Sequence, residues 1–530
     1  MGSKKLGMAA AFVAGALCLT ATANAQDAGK PVKGGSLILA IGVDPPTVNP
    51  AITSGIPDKQ VGCLIYEGMM QATADGRPMP LLAKSWTISP DGKTYSFKLN
   101  QAKWHDGKPF TSEDVAYSIK EVSAKYAAVI ATAVRLIDRI ETPASDEVKI
   151  ILKEPFGPFL ISWSCGEGGV VLPAHIFRGT DVPANPATSA TPVGTGAYKI
   201  GEWKRGNYIR LVRNPDYWDP NKPYLDEIVV RIMPESTTRM QALQAGEIDY
   251  LPGNYFATND RAAVAANPKL KTALSGFPPA SYHLFYNITR KPMDDVRVRR
   301  ALAMGLDRDY LVKNVWFGDG MPGRMPFTQV MKWAADPNVD YNKMYPYDPA
   351  KANALLDEAG LKKGADGTRF TLRLSYSNDA AERNQAAAAI KSMWRAIGVE
   401  TTIDSNDRAT DQKKVFLDRD FDVTIENYTS YGDPALGIAR TFVSSSGGKL
   451  FGNPTGYANP EVDELFVKGE QATDQAARGE FYKKAQAILA RDLPSLNFRD
   501  YQTVDAASVK LQGAWEVLGP ASLFDAWLAK

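Results

Sequence analysis

Apolar and polar positions follow a strand-like period over the first part of the chain. Residues 36–41, SLILAI, form a short apolar run that predicts a buried strand ending at the Asp44-Pro45-Pro46 turn. Residues 80–114 predict a strand, an Asp91-Gly92 turn, an alternating strand and a helix capped by Thr111 or Ser112. This part of the chain is therefore expected to contain short strands joined by turns.

Helical spacing dominates the second half. Residues 296–315 place apolar side chains at helical intervals, with an interruption at Asp307. Residues 348–359, 381–397 and 459–489 contain further amphipathic helices, and residues 371–376 and 421–425 predict strands between them. Strands that alternate with helices predict an α/β architecture.

Length and charge narrow the class of protein. The chain has 530 residues, which is more than one hydrophobic core usually supports, so at least two domains are expected. Without the first 25 residues, which include Lys4 and Lys5 and no acidic residue, basic and acidic side chains balance. A near-neutral chain argues against nucleic acid or an anionic membrane surface as a partner.

The first 25 residues predict a secretory signal peptide. Lys4 and Lys5 precede an apolar run, and Ala23-Asn24-Ala25 forms a small-x-small cleavage site after which the chain is cut. The run is shorter than the roughly 20 apolar residues that span a bilayer. A lipid anchor at Cys18 would require Gly or Ala before it, and Leu17 stands there, so we expect a freely soluble periplasmic protein.

The sequence contains no pattern that indicates a metal or a cofactor. Cys63 and Cys165 either pair in the oxidising compartment or remain two buried thiols, and the sequence leaves both open. His105-Asp106-Gly107 lies between a strand and a capped helix and is expected to be a turn. We expect no cofactor and no catalytic set, since no nucleophile elbow, phosphate-binding loop or His-Glu-x-x-His motif occurs.

Two motifs match binding loops only by their letters. Gly318-Asp-Gly320-Met-Pro-Gly323 has dinucleotide-loop spacing, but it follows a helix, and Pro322 denies it the helix that would hold a pyrophosphate. Residues 336–347 begin like a calcium loop, but Tyr341 and Tyr347 occupy the positions of the required Gly and Glu. Both are rejected.

Aromatic residues divide into core and candidate pocket positions. Trp86, Trp104, Trp203 and Trp218 lie in strand and turn blocks and are expected in the core. For Trp163, which precedes a Gly-rich break, and for Tyr428 and Tyr431, which follow a predicted strand, core and pocket remain equal alternatives. Asp433 is expected to cap a helix that begins at Pro434.

Residues 191–250 carry a family resemblance: a Gly-rich turn, two strands, an Asn-Pro-x-Tyr-Trp turn, another strand and a helix ending in Gly-Glu-Ile-Asp. This block resembles the extracellular solute-binding proteins of family 5, which serve peptide, opine and nickel importers. The likeness extends over nearly the whole chain through LAKSWTISPDGKTYSFKL, KWHDGKPFTSEDV, DDVRVRRALAMGLDR, YDPAKANALLDEAGL, FDVTIENYTSYGDP and GYANPEVDEL.

The resemblance implies a two-lobed α/β periplasmic-binding-protein fold of type II, similar to cluster C, with mixed sheets and ligand held between the lobes. By that resemblance, residues 285–290 and 496–503 are the crossings between lobes. The first lobe is then 26–284 plus 504–530, with 77–190 as an inserted subdomain, and the second lobe is 291–495.

The chain departs from the peptide-binding branch where that branch holds a ligand's termini. The family pattern places an Asp three residues before the acidic-Pro pair and an aromatic residue before that; this chain has Ser430 and Asn427. The carboxylate-binding loop reads Ser377-Asn378-Asp379, with Arg383 displaced into a helix. An uncharged, hydrogen-bonding lining favours an opine or a sugar conjugate over a free dipeptide. The candidate ligand-binding residues are Asp44, Trp163, Ser164, Asn254, Tyr255, Ser377, Asn378, Asn427, Tyr428, Ser430 and Tyr431.

The resemblance implies a monomeric solute receptor that delivers a small polar solute to an inner-membrane permease and its ATPase subunits. A secreted hydrolase is the alternative from another class, with Glu167 or Glu426 as carboxylates that would have to converge. A chemoreceptor-coupled binder with the same fold is the other alternative, since one fold hosts many functions. A nickel binder is disfavoured by three scattered histidines.

Overall fold

Three separate sheets organise the protein. The computed structural model describes residues 30–53, 55–73, 76–127, 129–275, 279–515, 517 and 519–530, so the expected signal peptide lies outside the described residues. The largest sheet has seven strands, the next has six and the third has four.

The seven-stranded sheet combines strands from both ends of the chain. In spatial order its strands are Leu270–Leu274, Val504–Ser508, Tyr250–Leu251, Ser36–Ile41, Glu227–Ile232, Tyr208–Arg213 and Tyr198–Lys204. Ser36–Ile41 pairs in parallel with two neighbours, and the other pairs are antiparallel. A mixed sheet results, as the sequence predicts.

The six-stranded sheet belongs to the second lobe. In order its strands are Met321–Pro322, Ser495–Tyr501, Ala280–Tyr286, Val423–Thr429, Phe370–Ser377 and Val399–Asn406. Phe370–Ser377 runs parallel to both of its neighbours, so the carboxyl ends of three strands meet at one edge.

The four-stranded sheet is the core of the inserted subdomain. Its order is Ala83–Ile88, Thr94–Leu99, Glu147–Leu152 and Ile137–Ala144, all antiparallel. Two small ribbons pair Met70–Ala72 with Pro78–Pro80 and Leu511–Gln512 with Trp527–Leu528.

Helices cover the faces of these sheets. Around the seven-stranded sheet they are Ile56–Ile65, Ser236–Ala245 and Arg261–Ala265, and in the subdomain Ser112–Tyr117, Ala124–Tyr126, Ala131–Leu136, Phe159–Ser162 and Ala174–Phe177. The second lobe has Val296–Met304, Arg308–Val315, Tyr341–Met344, Pro349–Glu358, Ala381–Ala396, Arg408–Gln412, Pro434–Gly437, Pro460–Gln471 and Gln475–Asp492.

Each large sheet has its own apolar core. Leu39 and Ile228 are buried with the seven-stranded sheet, Leu284 and Leu374 with the six-stranded sheet, and Phe97 with the four-stranded sheet. Separate cores of this kind support the expectation of more than one domain.

Local chemistry explains the element boundaries that the sequence predicts. Asp307 interrupts the helical segment because its carboxylate accepts a hydrogen bond from the Tyr310 amide at 2.8 Å and so caps a second helix. Asp433 caps the helix that begins at Pro434, as predicted, and accepts from the Ala435 amide at 2.9 Å. The predicted strand 421–425 instead spans Val423–Thr429, because its pairing with Ala280–Tyr286 continues to the end.

The histidine turn is structural, as predicted. His105 lies in a turn, and its ring contacts the Gly194 amide at 3.3 Å and the Gly196 carbonyl at 2.9 Å. Burial lowers the pKa of His105 to about 4, so the ring is neutral at physiological pH. The turn thereby attaches the subdomain to the Gly-rich turn of the first lobe.

Two connections between the sheets begin and end beside each other. Leu274 pairs with Val504 in one sheet and Ala280 pairs with Tyr501 in the other, while the Ser275 amide donates to the Thr503 carbonyl at 2.7 Å. Of the predicted crossings, 496–503 lies mostly within strand Ser495–Tyr501, and 285–290 begins at the last two residues of strand Ala280–Tyr286. We therefore propose residues 275–279 and 502–503 as the crossings.

The second lobe also contacts the inserted subdomain. The Gly157 amide donates to the Glu470 carbonyl at 2.6 Å, and Leu436 packs against the subdomain core. Beside this contact, Asp433 forms a buried two-point ion pair with Arg478, at 2.5 and 2.6 Å. The lobes therefore touch at a second place besides the crossings.

Cys63 and Cys165 form a disulfide with their Cα atoms 5.7 Å apart, which resolves the alternatives that the sequence left open. Cys63 lies in helix Ile56–Ile65 and Cys165 follows helix Phe159–Ser162, so the bond links the first lobe to the inserted subdomain. Both cysteines are buried in the core of the first lobe.

We expect replacement of Cys63 and Cys165 by alanine to lower the free energy of unfolding by about 2–5 kcal/mol, because the bond closes a loop of roughly 100 residues in the unfolded chain. Urea unfolding of the mature protein measures the loss. A reductant should destabilise the wild type and leave the double variant unchanged. A reductant effect of equal size in both would contradict this assignment.

Candidate functional site

A polar cavity of about 210 Å³ lies between the two lobes. The first lobe and the return crossing line it with Gly253, Asn254, Phe256, Thr258, Arg261, Thr503 and Val504, and the second lobe with Tyr282, Trp316, Asp319, Glu382, Arg499 and Tyr501. Because both lobes contribute walls, the cavity depends on their relative position.

One carboxylate joins the two lobes at this cavity. Asp319 accepts from Arg499 of the second lobe at 2.8 Å and pairs with Arg261 of the first lobe at 2.5 Å. The Thr258 hydroxyl donates to the same carboxylate at 3.3 Å. Asp319 is buried, and a buried carboxylate requires such partners to remain charged.

Arg499 forms the cationic wall of the cavity. Its guanidinium lies 4.2 Å from the ring centre of Tyr501, 4.7 Å from that of Trp316 and 5.6 Å from that of Tyr282. Burial lowers the pKa of Arg499 and Asp319 opposes that shift, so the side chain keeps its charge. Rings on several sides fix the guanidinium in place.

A hydrogen-bond network extends from this wall to the strand ends of the second lobe. Asn427 donates from Nδ2 to the Tyr501 hydroxyl at 3.3 Å and accepts at Oδ1 from Arg383 at 2.5 Å. Arg383 also donates to Asp379 at 2.8 Å and to the Ser377 carbonyl at 3.4 Å. The network follows from topology, because parallel strands end together and helix Ala381–Ala396 starts at that edge.

A pair of buried carboxyl groups lies beside Arg383. Burial, with the nearby charge of Asp411, raises the pKa of Glu426 well above its ordinary value, and Arg383 opposes the shift. Burial also raises the pKa of Asp411. Glu426 therefore keeps its proton at pH values where an exposed glutamate is ionised.

Three of the predicted site residues belong to this arrangement. Asn254 lines the polar cavity, and Asn427 donates to Tyr501, which also lines it. The Ser377 carbonyl accepts from Arg383 and so belongs to the same hydrogen-bond network. Asn378 follows Ser377 on the surface, and its amide donates to the Asn406 carbonyl at 2.9 Å. The Ser377 hydroxyl is buried and has no hydrogen-bond partner among the described residues.

The next predicted residues lie at the end of strand Val423–Thr429 and in the turn that follows it. Tyr428 lies within the strand, buried against Phe285, and its hydroxyl has no partner in the part of the chain that the structure describes. Ser430 is buried, its amide donates to the Pro279 carbonyl at 3.0 Å and its hydroxyl accepts from the Gly432 amide at 3.3 Å. Tyr431 is half-buried with φ of 51°, the left-handed conformation that reverses the chain.

The remaining predicted residues lie elsewhere in the first lobe. Asp44 accepts from Trp203 at 3.1 Å and from the Gly206 amide at 2.7 Å, so its carboxylate is engaged within that lobe. Trp163 is buried in the subdomain core, and Ser164 bridges to Met70. Tyr255 packs between both apolar clusters of the first lobe. The side-chain polar atoms of Trp163 and Tyr255 have no partner within the described ranges.

The residues that form the cavity wall were not among the predicted site residues. The sequence contains only weak indications of them. Arg499 lies in the buried strand Ser495–Tyr501, where an arginine is unusual. Asp319 lies within the glycine motif that was rejected as a dinucleotide loop. The tryptophans at 86, 203 and 218 are partly buried and pack on the cores, and Trp104 is fully buried, as predicted.

The described residues contain neither a metal-binding cluster nor a helix that could cross a membrane. Within them, no cluster of three or more His, Cys, Asp or Glu side chains is arranged to hold a metal ion. Over the same residues, no helix has the length and apolar character that a bilayer crossing demands.

Two α/β lobes, an inserted subdomain and a cavity walled by both lobes define the class of two-lobed binding proteins. Residues 77–449 match the family described as "Bacterial extracellular solute-binding proteins, family 5 Middle", and the chain belongs to this family. The resemblance noted in the sequence is therefore confirmed.

Relatives of known name cover nearly the whole chain. The chain is 27% identical to the glutathione-binding protein GsiB of Pectobacterium atrosepticum, over 92% of each chain. It is 28% identical to the probable D,D-dipeptide-binding periplasmic protein DdpA of Escherichia coli, over 86% of each.

Solved structures show the same fold. HbpA2 of Haemophilus parasuis superposes with a TM-score of 0.81 at 22% identity, covering 94% of this chain and 100% of that one. The binding protein AgaA of Agrobacterium tumefaciens R10, in complex with agropinic acid, gives a TM-score of 0.70 at 25% identity, covering 94% and 99%.

We expect Asp319→Ala to destabilise the protein by about 3–5 kcal/mol, because it leaves the buried Arg499 without its carboxylate. Arg261→Ala, which removes the more exposed partner, should cost about 1 kcal/mol or less. Urea unfolding compares the two. Equal losses would show that burial of Arg499 does not set the cost.

We expect Glu426→Gln to change the pH dependence of stability. In the wild type the native state retains a proton that the unfolded glutamate releases above a pKa of about 4.3, so the free energy of unfolding falls as pH rises. This fall reaches about 1.4 kcal/mol per pH unit. Urea midpoints at pH 5, 6.5 and 8 should therefore fall less in the variant. Parallel profiles would contradict a protonated Glu426.

Proposed function

We propose that this chain is the periplasmic receptor of an ATP-driven importer and that its solute is opine-like. By opine-like we mean a small molecule with at least one carboxylate and several hydroxyl, amine or amide groups. The observation that carries the proposal is the Arg383–Asn427–Ser377 network at the strand ends, beside a serine at position 430.

The charge of the strand-end region supports a carboxylate in the solute. Arg383 is buried and fixed by Asp379 and Asn427, so it is a preorganised cation at the carboxyl ends of the strands. Its planar guanidinium matches a carboxylate in geometry. The unpartnered Ser377 hydroxyl beside it supplies a further hydrogen-bonding group.

The same region disfavours the free amine of a peptide. Ser430 bears no charge, and its hydroxyl is engaged with the Gly432 amide. Burial raises the pKa of both Glu426 and Asp411, which weakens their negative charge, and Arg383 beside them opposes it. A desolvated ammonium without a carboxylate partner would cost several kcal/mol, of the order of the penalty for an unpaired buried ion.

The comparisons support this class of solute and one rival. A structural neighbour at 25% identity holds agropinic acid. The rival is a modified peptide, because relatives over 92% and 86% of this chain are named as glutathione-binding and D,D-dipeptide-binding. Both classes combine carboxylates with amide groups, and they differ in where an amine is held.

Capture would proceed by lobe closure about the crossings. A solute that touches both lobes binds the closed arrangement better than the open one and so shifts the population toward closure. The closed receptor then presents both lobes to the permease, while ATP hydrolysis by a separate subunit drives transport. The proposal includes export through residues 1–25, cleavage after Ala25, a monomeric receptor, no cofactor and no chemistry on the solute.

The domain division completes the proposal. The first lobe comprises residues 30–274 and 504–530, with the subdomain at 77–190 inserted, and the second lobe comprises 280–501. Asp319 and Arg261 would separate when the lobes open, since one lies on each lobe.

Isothermal titration of the mature protein with agropinic acid, octopine, glutathione and Ala-Ala tests the solute class. We expect binding of an opine and little heat from Ala-Ala. Arg383→Met should weaken opine binding at least tenfold, because it removes the cation without removing the bulk of the side chain. Thermal shifts provide a second readout, since a ligand at 100 times its Kd adds about 2.7 kcal/mol of stability.

Arg408→Met is the matched control, because Arg408 is exposed and pairs with the same Asp379 at 3.0 Å. It should leave opine binding within about twofold. Strong heat from Ala-Ala with none from either opine would overturn the proposed solute class. Equal effects of the two arginine variants would remove Arg383 from the site.

A further inference from the structure

A second and larger cavity of about 670 Å³ lies between the lobes, on the other side of the return crossing. Tyr501 and Thr503 line the polar cavity, and Gln502 between them lines this one, so the crossing is a shared wall. Its volume falls in the range of small-molecule sites. We call it the apolar chamber, and its main walls are Leu274, Val330, Met331, Trp333, Gly432 and Trp515.

Two tryptophans from opposite lobes define the chamber. Trp333 of the second lobe is fixed by the Tyr482 ring, with centroids 5.9 Å apart, and by the Arg478 guanidinium at 5.4 Å. Trp515 of the first lobe contacts Tyr250 and donates from Nε1 to Asp505 at 2.8 Å. Both rings are therefore held before anything binds.

The chamber is nearly free of charge. Its polar lining includes the amides Gln475 and Gln502, and its charged member Lys332 is exposed. The buried Trp333 Nε1 has no hydrogen-bond partner among the described residues. Such a lining accepts an aromatic or branched aliphatic group, whereas a second ionic group would be costly there.

The end of strand Val423–Thr429 and the turn after it, residues 427–432 together, connect the polar network to the chamber. Asn427 binds Arg383 at one end, and Gly432 lines the chamber at the other. The five steps along the chain from Asn427 to Gly432 span at most about 18 Å when extended, and the positive φ of Tyr431 shortens the path. The two places therefore lie no farther apart than the length of a solute of modest size.

From these observations we infer that the solute is amphiphilic: a carboxylate-bearing head at Arg383 and Asn427, with a bulky apolar limb enclosed between Trp333 and Trp515. The inference rests on the proposed function and adds the chemical class of the limb. Because the two tryptophans belong to different lobes, burial of the limb favours the closed arrangement.

The test uses N-(1-carboxyethyl) derivatives of alanine, leucine and phenylalanine, which share a head and differ in the limb. Isothermal titration of the mature protein should give a Kd for the phenylalanine derivative at least tenfold below that for the alanine derivative. Val330→Phe, which fills the chamber, and Trp333→Ala, which removes a wall, should each reduce that ratio to below threefold.

Trp86→Ala is the control, since Trp86 lies in strand Ala83–Ile88 of the subdomain and should leave the ratio unchanged. If Trp333→Ala fails to fold, Val330→Phe carries the test. Equal affinity for the three derivatives would overturn the inference and leave the proposed function intact.

If none of the three derivatives binds, agropinic acid and octopine decide the proposed solute class, and the chamber is tested alone with p-cresol by saturation-transfer NMR. Binding of p-cresol that is lost in Val330→Phe and kept in Trp86→Ala supports an apolar site in the chamber. Absence of p-cresol binding, or binding that Val330→Phe leaves unchanged, overturns it.

Discussion

The antiparallel pairing of strands Ala280–Tyr286 and Ser495–Tyr501 is the constraint on which the rest of the structure depends. These strands follow and precede the two crossings, and they lie side by side in the six-stranded sheet. The corresponding ends, Leu274 and Val504, are paired in the seven-stranded sheet. The two crossings that we propose therefore begin and end beside each other, which is the arrangement that a hinge between two lobes requires.

The same pairing determines where a binding site can form. Ser495–Tyr501 brings Arg499 and Tyr501 to the polar cavity, and Val423–Thr429 on the other side of Ala280–Tyr286 brings Asn427 into contact with Tyr501. These residues come from distant parts of the sequence but lie at neighbouring positions on adjacent strands of one sheet. The site is thus a consequence of register, because a shift of one residue would turn each of these side chains to the opposite face.

The sequence predicted elements whose causes are local. Asp307 and Asp433 cap helices through their own carboxylates, and the apolar period of residues 296–315 marks a buried face, so each was legible in a few residues. The candidate site was less accessible. Arg499, Asp319 and Arg261 meet only through tertiary structure, and a lone Arg in a strand or an Asp between glycines carries little signal. The displaced Arg383 was noted in the sequence, but its return to Asn427 depends on how the helix is placed at the strand ends.

The proposed solute is held at the strand ends by Arg383, and the solute that copurifies with the protein tests this directly. Native mass spectrometry of the receptor extracted from the periplasm measures the mass of any solute that remains bound. We expect the bound solute to bear a carboxylate and to lack a free peptide amine. The wild type should retain this solute, and Arg383→Met should lose it. A bound peptide with a free amino terminus, retained equally by both proteins, would contradict it.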